Sequence, residues 1–230
     1  MKHWIIAALV FVFAVTVNAN PQPKTPDEAL KLLVDGNTRF VLGKPVRPNQ
    51  SKERLTDVAK GQTPFAIIVG CSDSRVPNEI IFDQGLGDLF IVRTAGQVSS
   101  YASWGSMEFA HAVLKANLIV VLGHSKCGAV AAACTVPEVP GHIVTLINAI
   151  KPAAALAREM EGELVENAVK VNVAMEVQGL KELEPVLAKS VRNGTLKIVG
   201  GVYDLESGKV EFLPDNYLKT LKLKKAKDKD

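Results

Sequence analysis

Cysteine, aromatic residues and excess charge are all scarce in this chain. Of its 230 residues three are cysteine, 6% are aromatic and 22% are charged, against 47% hydrophobic. So few cysteines exclude a small disulfide-stapled scaffold, and the abundance of apolar residues excludes a disordered or fibrous chain. Internal repeats and low-complexity linkers are missing, so the length suits one α/β domain with a sizeable core. Basic residues interleaved with aromatics, the mark of a nucleic-acid surface, are missing too. The net charge is +3, yet Lys219 to Asp230 alone holds six lysines and two aspartates. The rest is close to neutral, and this Lys-rich tail reads as a solvated end with no function assigned. A bilayer-spanning run is also lacking. The apolar stretch Trp4 to Val15 falls short of the ~20 residues a spanning helix needs. Lys2 before it and Val17-Asn18-Ala19 after it instead fit a signal peptide over 1–19, cleaved after Ala19. The expectation is export, to the periplasm, with a mature domain over 20–230 and no stable membrane anchor.

Hydrophobic patterning alternates between two periods. Thr25-Pro26-Asp27-Glu28 has the form of a capping box with proline at the first helical position, and Leu30, Leu33, Val34, Phe40 and Val41 follow at helical spacing. Gly43 and the segment 44–50, with two prolines, end this N-terminal helical arm before a polar helical stretch around 51–60. Three short apolar runs, 65–69, 89–92 and 118–122, read as parallel strands covered on both faces. Between the last two, residues 103–116 suit a crossover helix and complete a βαβ unit. Helical patterns follow near 127–134, over 143–160 and over 164–187, then a strand at 196–199 and a hairpin turn at Ser207-Gly208. The fold class is α/β, a central and mostly parallel sheet flanked by helices, with a C-terminal hairpin. Gly85-Leu86-Gly87 precedes a strand, whereas a dinucleotide fingerprint follows one, so that module is disfavoured.

Two chemically loaded segments sit directly after strands. Cys71-Ser72-Asp73-Ser74-Arg75 follows the first run and His124-Ser125-Lys126-Cys127 follows the third. Open parallel sheets place their sites at the carboxyl ends of strands, where strand order reverses. If the first and third strands are neighbours, Cys71, His124 and Cys127 converge. Two thiolates and one imidazole make a tetrahedral zinc set with one open position, and zinc brings the pKa of bound water from about 15.7 toward ~7. Asp73 is the candidate acceptor that orients the resulting nucleophile, and Arg75 the group that holds its carboxylate by a bidentate pair. Without Arg75, Asp73 is free to bind the metal and close the site. A Cys71–Cys127 disulfide is the competing reading for an exported chain, and half of a structural zinc site the competing reading for His124 and Cys127. Cys134 reads as a small core residue on an alanine-rich helix.

The segments Cys71-Ser72-Asp73-Ser74-Arg75, Phe82-Asp83 through Gly87-Asp88-Leu89-Phe90 to Arg93 and Ala95-Gly96, and Gly123-His124-Ser125 with Cys127-Gly128-Ala129-Val130 resemble the beta-class carbonic anhydrase signature in order and spacing. The likeness runs on to Tyr203-Asp204 and the final hairpin, nearly the whole mature chain. It implies a single catalytic domain over 20–230 that hydrates carbon dioxide reversibly to bicarbonate and a proton through zinc-bound hydroxide, as a homodimer or an assembly of dimers. By this resemblance zinc falls to Cys71, His124 and Cys127, and the orienting pair to Asp73 and Arg75. The substrate pocket falls to Gln62, facing bicarbonate across a dimer interface, with Phe90, Ala95, Phe109 and the backbone amide of Gly128. Ala95 and Phe109 depart from the plant-like valine and tyrosine, which implies a pocket of different shape.

Some bacterial relatives bind bicarbonate at a second, inhibitory site built from a tryptophan, an arginine and a tyrosine. Arg93 and Tyr203 match two of these, but Ile68 stands where the tryptophan would be. The expectation is an open, constitutively active site. Two other functions stay in view, hydrolysis of carbon disulfide or carbonyl sulfide on the same metal, and a non-catalytic zinc or bicarbonate-binding protein. The second requires a closed metal site.

Overall fold

A computed structural model describes residues 23–223. The signal-peptide reading over 1–19 and most of the Lys-rich tail lie outside these residues. Five strands form one sheet in the order β2-β1-β3-β4-β5, comprising β1 (Ala66–Cys71), β2 (Leu89–Thr94), β3 (Leu118–His124), β4 (Lys197–Tyr203) and β5 (Val210–Phe212). The first four are parallel and β5 returns antiparallel to β4 as the expected hairpin. Strand order reverses between β1 and β3, so the crevice at their carboxyl ends is the switch point of the fold.

The runs of branched residues in β1 and β3 are explained by burial on both faces, for every residue of both strands is buried. Successive side chains point to opposite faces. Ile68, Leu118, Val120 and Leu122 pack with Ala29 and Leu33 of α1 (Pro26–Val41). Ile67, Val69, Ile119 and Val121 pack with Met107 and Ala110 of α4 (Tyr101–Ala112) and Val173 and Val177 of α7 (Leu164–Lys181). A Cβ on Gly123 or Gly200 would stand 2.5 or 2.6 Å from the Val173 side chain, so both glycines are what let α7 lie this close to the sheet. The remaining helices are α2 (Lys52–Val58), α3 (Asn78–Ile81), α5 (Gly128–Thr135), α6 (Ile143–Arg158) and α8 (Leu187–Arg192).

Several expectations shift. β2 is an edge strand and its apolar residues are only half-buried, not covered on both faces. The crossover helix begins at Tyr101 under a Ser100–Ser103 capping box and stops at Ala112, where Lys115 takes a left-handed φ of 67°. The helical pattern expected over 164–187 overruns, since α7 ends at Lys181, Pro185, lacking an N–H, cannot continue it, and α8 starts only at Leu187. The one-turn α3 has too few residues to show a period.

Two buried aspartates of the Phe82 to Leu89 segment tie the loop after α1 to the sheet. Asp83 accepts from Arg39 Nε at 2.6 Å, Val46 N at 2.9 Å and Arg47 N at 2.8 Å. Asp88 accepts from Asn49 Nδ2, Gly85 N and Arg54 Nη2. Burial pushes the Asp83 carboxyl up, but Arg39 and the two amides outweigh it and hold it below its ordinary range. Asp83→Ala strands these donors and is expected to cost about 2–4 kcal/mol in urea unfolding at neutral pH. Because the folded-state pKa is depressed, this contribution is complete above the unfolded value of ~3.9 and disappears as pH falls through the folded one. The stabilities of the two proteins should therefore converge in acid; an equal gap at acid and neutral pH would contradict the assignment.

Candidate metal centre

The parallel register aligns Gly70 of β1 with Leu122 of β3, so both strands end at the same level. Cys71 closes β1, His124 closes β3, and Cys127 is the residue from which α5 starts. Lys126 turns the intervening loop with a left-handed φ of 55°, which folds Cys127 back toward His124. The ligand atoms of Cys71, His124 and Cys127 all lie within 4.8 Å of one another, and all three residues are buried. The cysteines are free thiols, so the disulfide reading is not realised. Cys134 packs in the core among Val130, Ala133 and Ile147, as its sequence context suggested.

The donor set fits a soft divalent cation. His124 Nδ1 lies 2.9 Å from the Ser125 carbonyl oxygen, which only accepts, so Nδ1 carries the hydrogen and Nε2 presents a bare lone pair. That Nε2 is fully buried without a hydrogen-bond partner, an arrangement that costs free energy unless something coordinates it. The two thiols favour a single shared negative charge. Cys71 is pushed down to about 4, first by the Cys127 thiol against the effect of burial, then by His124 and the Asp73 and Gly96 amides. Cys127 is pushed up by Cys71 and by burial. A divalent cation in place of the shared proton lets both ionise. Two thiolates and one imidazole, with no fourth ligand among the described residues, suit zinc.

Asp73 stands beside this group, with Oδ2 3.8 Å from His124 Nε2. Its carboxylate is gripped by Arg75, whose Nε donates to Oδ1 at 2.9 Å and Nη2 to Oδ2 at 2.7 Å, while the Arg75 amide adds a third bond to Oδ1. The Arg75 side chain holds the Asp73 carboxyl well below the usual carboxylate range, with burial opposing. Arg93, which the sequence offered as a signature residue and as a match to an inhibitory site, has a structural role of its own. Its Nε donates to the Cys71 carbonyl at 2.9 Å and its Nη2 to the Asp73 carbonyl at 2.6 Å, so it braces the loop that carries both residues. Gly96, with φ of 67°, turns its N–H onto Cys71 Sγ at 3.3 Å. Neither role is visible from spacing, although the Arg93 to Gly96 segment was among the matched residues. Ile68 lies fully buried under α1, and Tyr203 is buried at the end of β4.

The expected pocket residues divide into two groups. Ala95 follows β2 and Gly128 opens α5, both at the carboxyl ends of the strands. Phe90 pairs with Ile67, four residues back from the Thr94–Cys71 pair, which is roughly 13 Å along the strands. Gln62 is exposed in the segment before β1, and Phe109 is 48% exposed on the third turn of α4. The strand register thus sets Phe90 back from the cysteines, while Gln62 and Phe109 lie at the surface of the chain.

The purified protein is expected to hold zinc in near-stoichiometric amount. Cys71→Ser, His124→Ala and Cys127→Ser should each lose it while Asp83→Ala does not, as read by elemental analysis beside circular dichroism. Full zinc occupancy in any of the three ligand variants would contradict the assignment.

Comparison with known proteins agrees with this geometry. The family model for carbonic anhydrase matches residues 66–210. The carbonic anhydrase of Mycolicibacterium smegmatis is 44% identical over 191 residues, covering 81% of this chain and 93% of that protein. Carbonic anhydrase 2 of Mycobacterium tuberculosis is 43% identical over 190 residues, 80% and 91% of the two chains. Among solved structures, the beta-carbonic anhydrase CcaA superposes with a TM-score of 0.66 at 26% identity, over 84% of this chain and 98% of that one. The beta-carbonic anhydrase CafA of Aspergillus fumigatus gives 0.63 at 28%, over 84% and 94%. With this match in sequence, fold and donor set, the chain belongs to the carbonic anhydrase family, in its beta class.

Proposed function

We propose that this chain catalyses the reversible hydration of carbon dioxide to bicarbonate and a proton. The observation that carries this reading is the group Cys71, His124 and Cys127 with Asp73 held beside it by Arg75. Zinc held by the three ligands supplies a water whose pKa falls toward ~7, and so a nucleophile at neutral pH. The protein's part is to aim it. With Arg75 taking both its oxygens and keeping it ionised, Asp73 is a fixed acceptor for the hydrogen of the attacking water. The same clamp keeps the carboxylate off the metal ligands. Arg93 fixes the height of the loop through the Cys71 and Asp73 carbonyls. The Gly128 amide, in the first turn of α5, is free of an intrahelical partner and suits a substrate oxygen. Ala95 leaves an apolar floor of small volume for a linear, uncharged substrate.

The division of the pocket residues supports a second reading, of quaternary structure. Gln62, Phe90 and Phe109 complete the pocket when supplied by a second copy of the chain. Tyr101 and Phe109, eight residues apart on α4, and Val113 at its C-terminal end are 87%, 48% and 58% exposed, and the apolar edge strand β2 is open beside them. An uncovered apolar stripe of this kind calls for a partner surface, and a structural relative from Sordaria macrospora is described as tetrameric. The working unit in this reading is a homodimer or an assembly of dimers. Export follows from the segment 1–19; among the described residues no helix is long and apolar enough to cross a membrane. Mass spectrometry and sedimentation of the exported protein check both points, with a chain starting at Asn20 and an even number of subunits expected. A fully active monomer would contradict the shared pocket.

Stopped-flow carbon dioxide hydration tests the main reading. The zinc-loaded wild type is expected to be active, and Asp73→Asn to keep its zinc while losing about 10²-fold or more in kcat/KM. Activity confined to sulfide release from carbon disulfide or carbonyl sulfide would replace the substrate, and inactivity of zinc-loaded protein toward all three would overturn catalysis.

A further inference from the structure

Each hydration of carbon dioxide leaves a proton that has to be accepted inside the site and passed to solvent. Asp73 is unsuited to that task, because Arg75 occupies both of its carboxylate oxygens. The turn after β2 offers another route. Gly96 donates to Cys71 Sγ on one side and accepts from Asn172 Nδ2 of α7 at 3.1 Å on the other. The next residue, Gln97, is 1% exposed with a left-handed φ of 48°, and neither side-chain polar atom has a partner. A strained backbone that aims an unsatisfied amide inward is costly unless the amide is used. Its Nε2 lies 3.6 Å from where a Cβ on Gly123 would stand, one residue before His124. Ser99 Oγ is buried as well, and it faces the carboxyl of half-buried Glu176. Glu176 is one helical turn beyond Asn172, so both look onto this segment from the same side of α7.

We propose that Glu176 receives the proton released by hydration, through water held at Gln97 and Ser99, and delivers it to solvent from its exposed edge. Buried amide and hydroxyl groups without protein partners are where ordered water binds. The exchange balances. One proton leaves the attacking water, the Glu176 carboxylate becomes a neutral carboxyl, and that carboxyl then loses the proton to a buffer base. The surroundings of Glu176 favour this. Its neighbours at helical spacing are Asn172, Val173, Gly179 and Leu180, and the facing segment 97–100 is uncharged. Burial is the main influence on its carboxyl and pushes it up, with the Ser99 hydroxyl opposing. A carboxyl raised toward the working pH both accepts and releases protons, which one fixed by a guanidinium does not.

This proposal rests on the hydration activity above, and the test separates the two. Stopped-flow hydration is measured for zinc-loaded wild type, Glu176→Gln and Ser99→Ala, each in dilute and in concentrated imidazole buffer. Both variants are expected to lose about tenfold in kcat in dilute buffer, with kcat/KM unchanged and kcat restored by concentrated buffer. Infrared titration of the same proteins, independent of turnover, is expected to show a protonated carboxyl titrating above the usual carboxylate range in the wild type and missing in Glu176→Gln. Ser99→Ala carries the kinetic test should Glu176→Gln fail to fold. An unchanged kcat in dilute buffer, or a parallel loss of kcat and kcat/KM that buffer does not restore, overturns the relay. A wild type inactive toward carbon dioxide overturns the hydration reading itself.

Discussion

Everything at the metal centre depends on the parallel pairing of β1 with β3. Because Ala66 to Gly70 lie in register with Leu118 to Leu122, both strands end at one level, and the residues just past them meet. Cys71 and His124 are 53 positions apart in sequence, yet no long side chain is needed to join them. The pairing is secured by packing on both faces, α1 on one and α4 with α7 on the other. Gly123 and Gly200, by admitting Val173, set how near α7 stands to the site. Core packing thus fixes the ligand geometry, as a preorganised site requires.

On that frame the charges form a consistent set. The ligand thiols resist holding two negative charges without a cation. The His124 tautomer is chosen by a backbone carbonyl. The carboxylate nearest the ligands is neutralised by a guanidinium rather than left to coordinate. Arg93 spends its donors on two carbonyls of the same loop, so the positions of Cys71 and Asp73 are coupled through the backbone. A structural zinc site needs none of this apparatus around an incomplete ligand set. The arrangement has a purpose when the fourth position is used for chemistry.

Much of this was legible in the sequence, and for identifiable reasons. β1 and β3 announce themselves as uninterrupted apolar runs because both faces are buried, and the ligands are recognisable because they follow those runs directly. The capping box at Thr25 to Glu28 marks the start of α1 by its own chemistry. What escaped is what depends on tertiary partners. An apolar run at Leu89 to Val92 looks alike whether the strand is central or an edge, and only the sheet order shows that β2 is the edge. The apolar pattern continues past Lys181, where α7 ends four residues ahead of Pro185. Arg93 acts on backbone carbonyls, and the Gly96 amide and the Ser125 carbonyl are themselves backbone groups, which spacing does not display. Gln62, Phe90 and Phe109 are recognisable by resemblance, but the exposure of Gln62 and Phe109 and the setback of Phe90 along β2 required the fold.

The central claim is a zinc site kept open by an arginine-held aspartate. A crystal structure of the zinc-loaded protein at neutral pH tests it most directly. The account predicts zinc bonded to Cys71 and Cys127 sulfur at about 2.3 Å and to His124 Nε2 at about 2.0–2.1 Å, with a solvent oxygen in the fourth position and both Asp73 oxygens still on Arg75. An Asp73 oxygen bonded to the zinc, with Arg75 turned away, would contradict it.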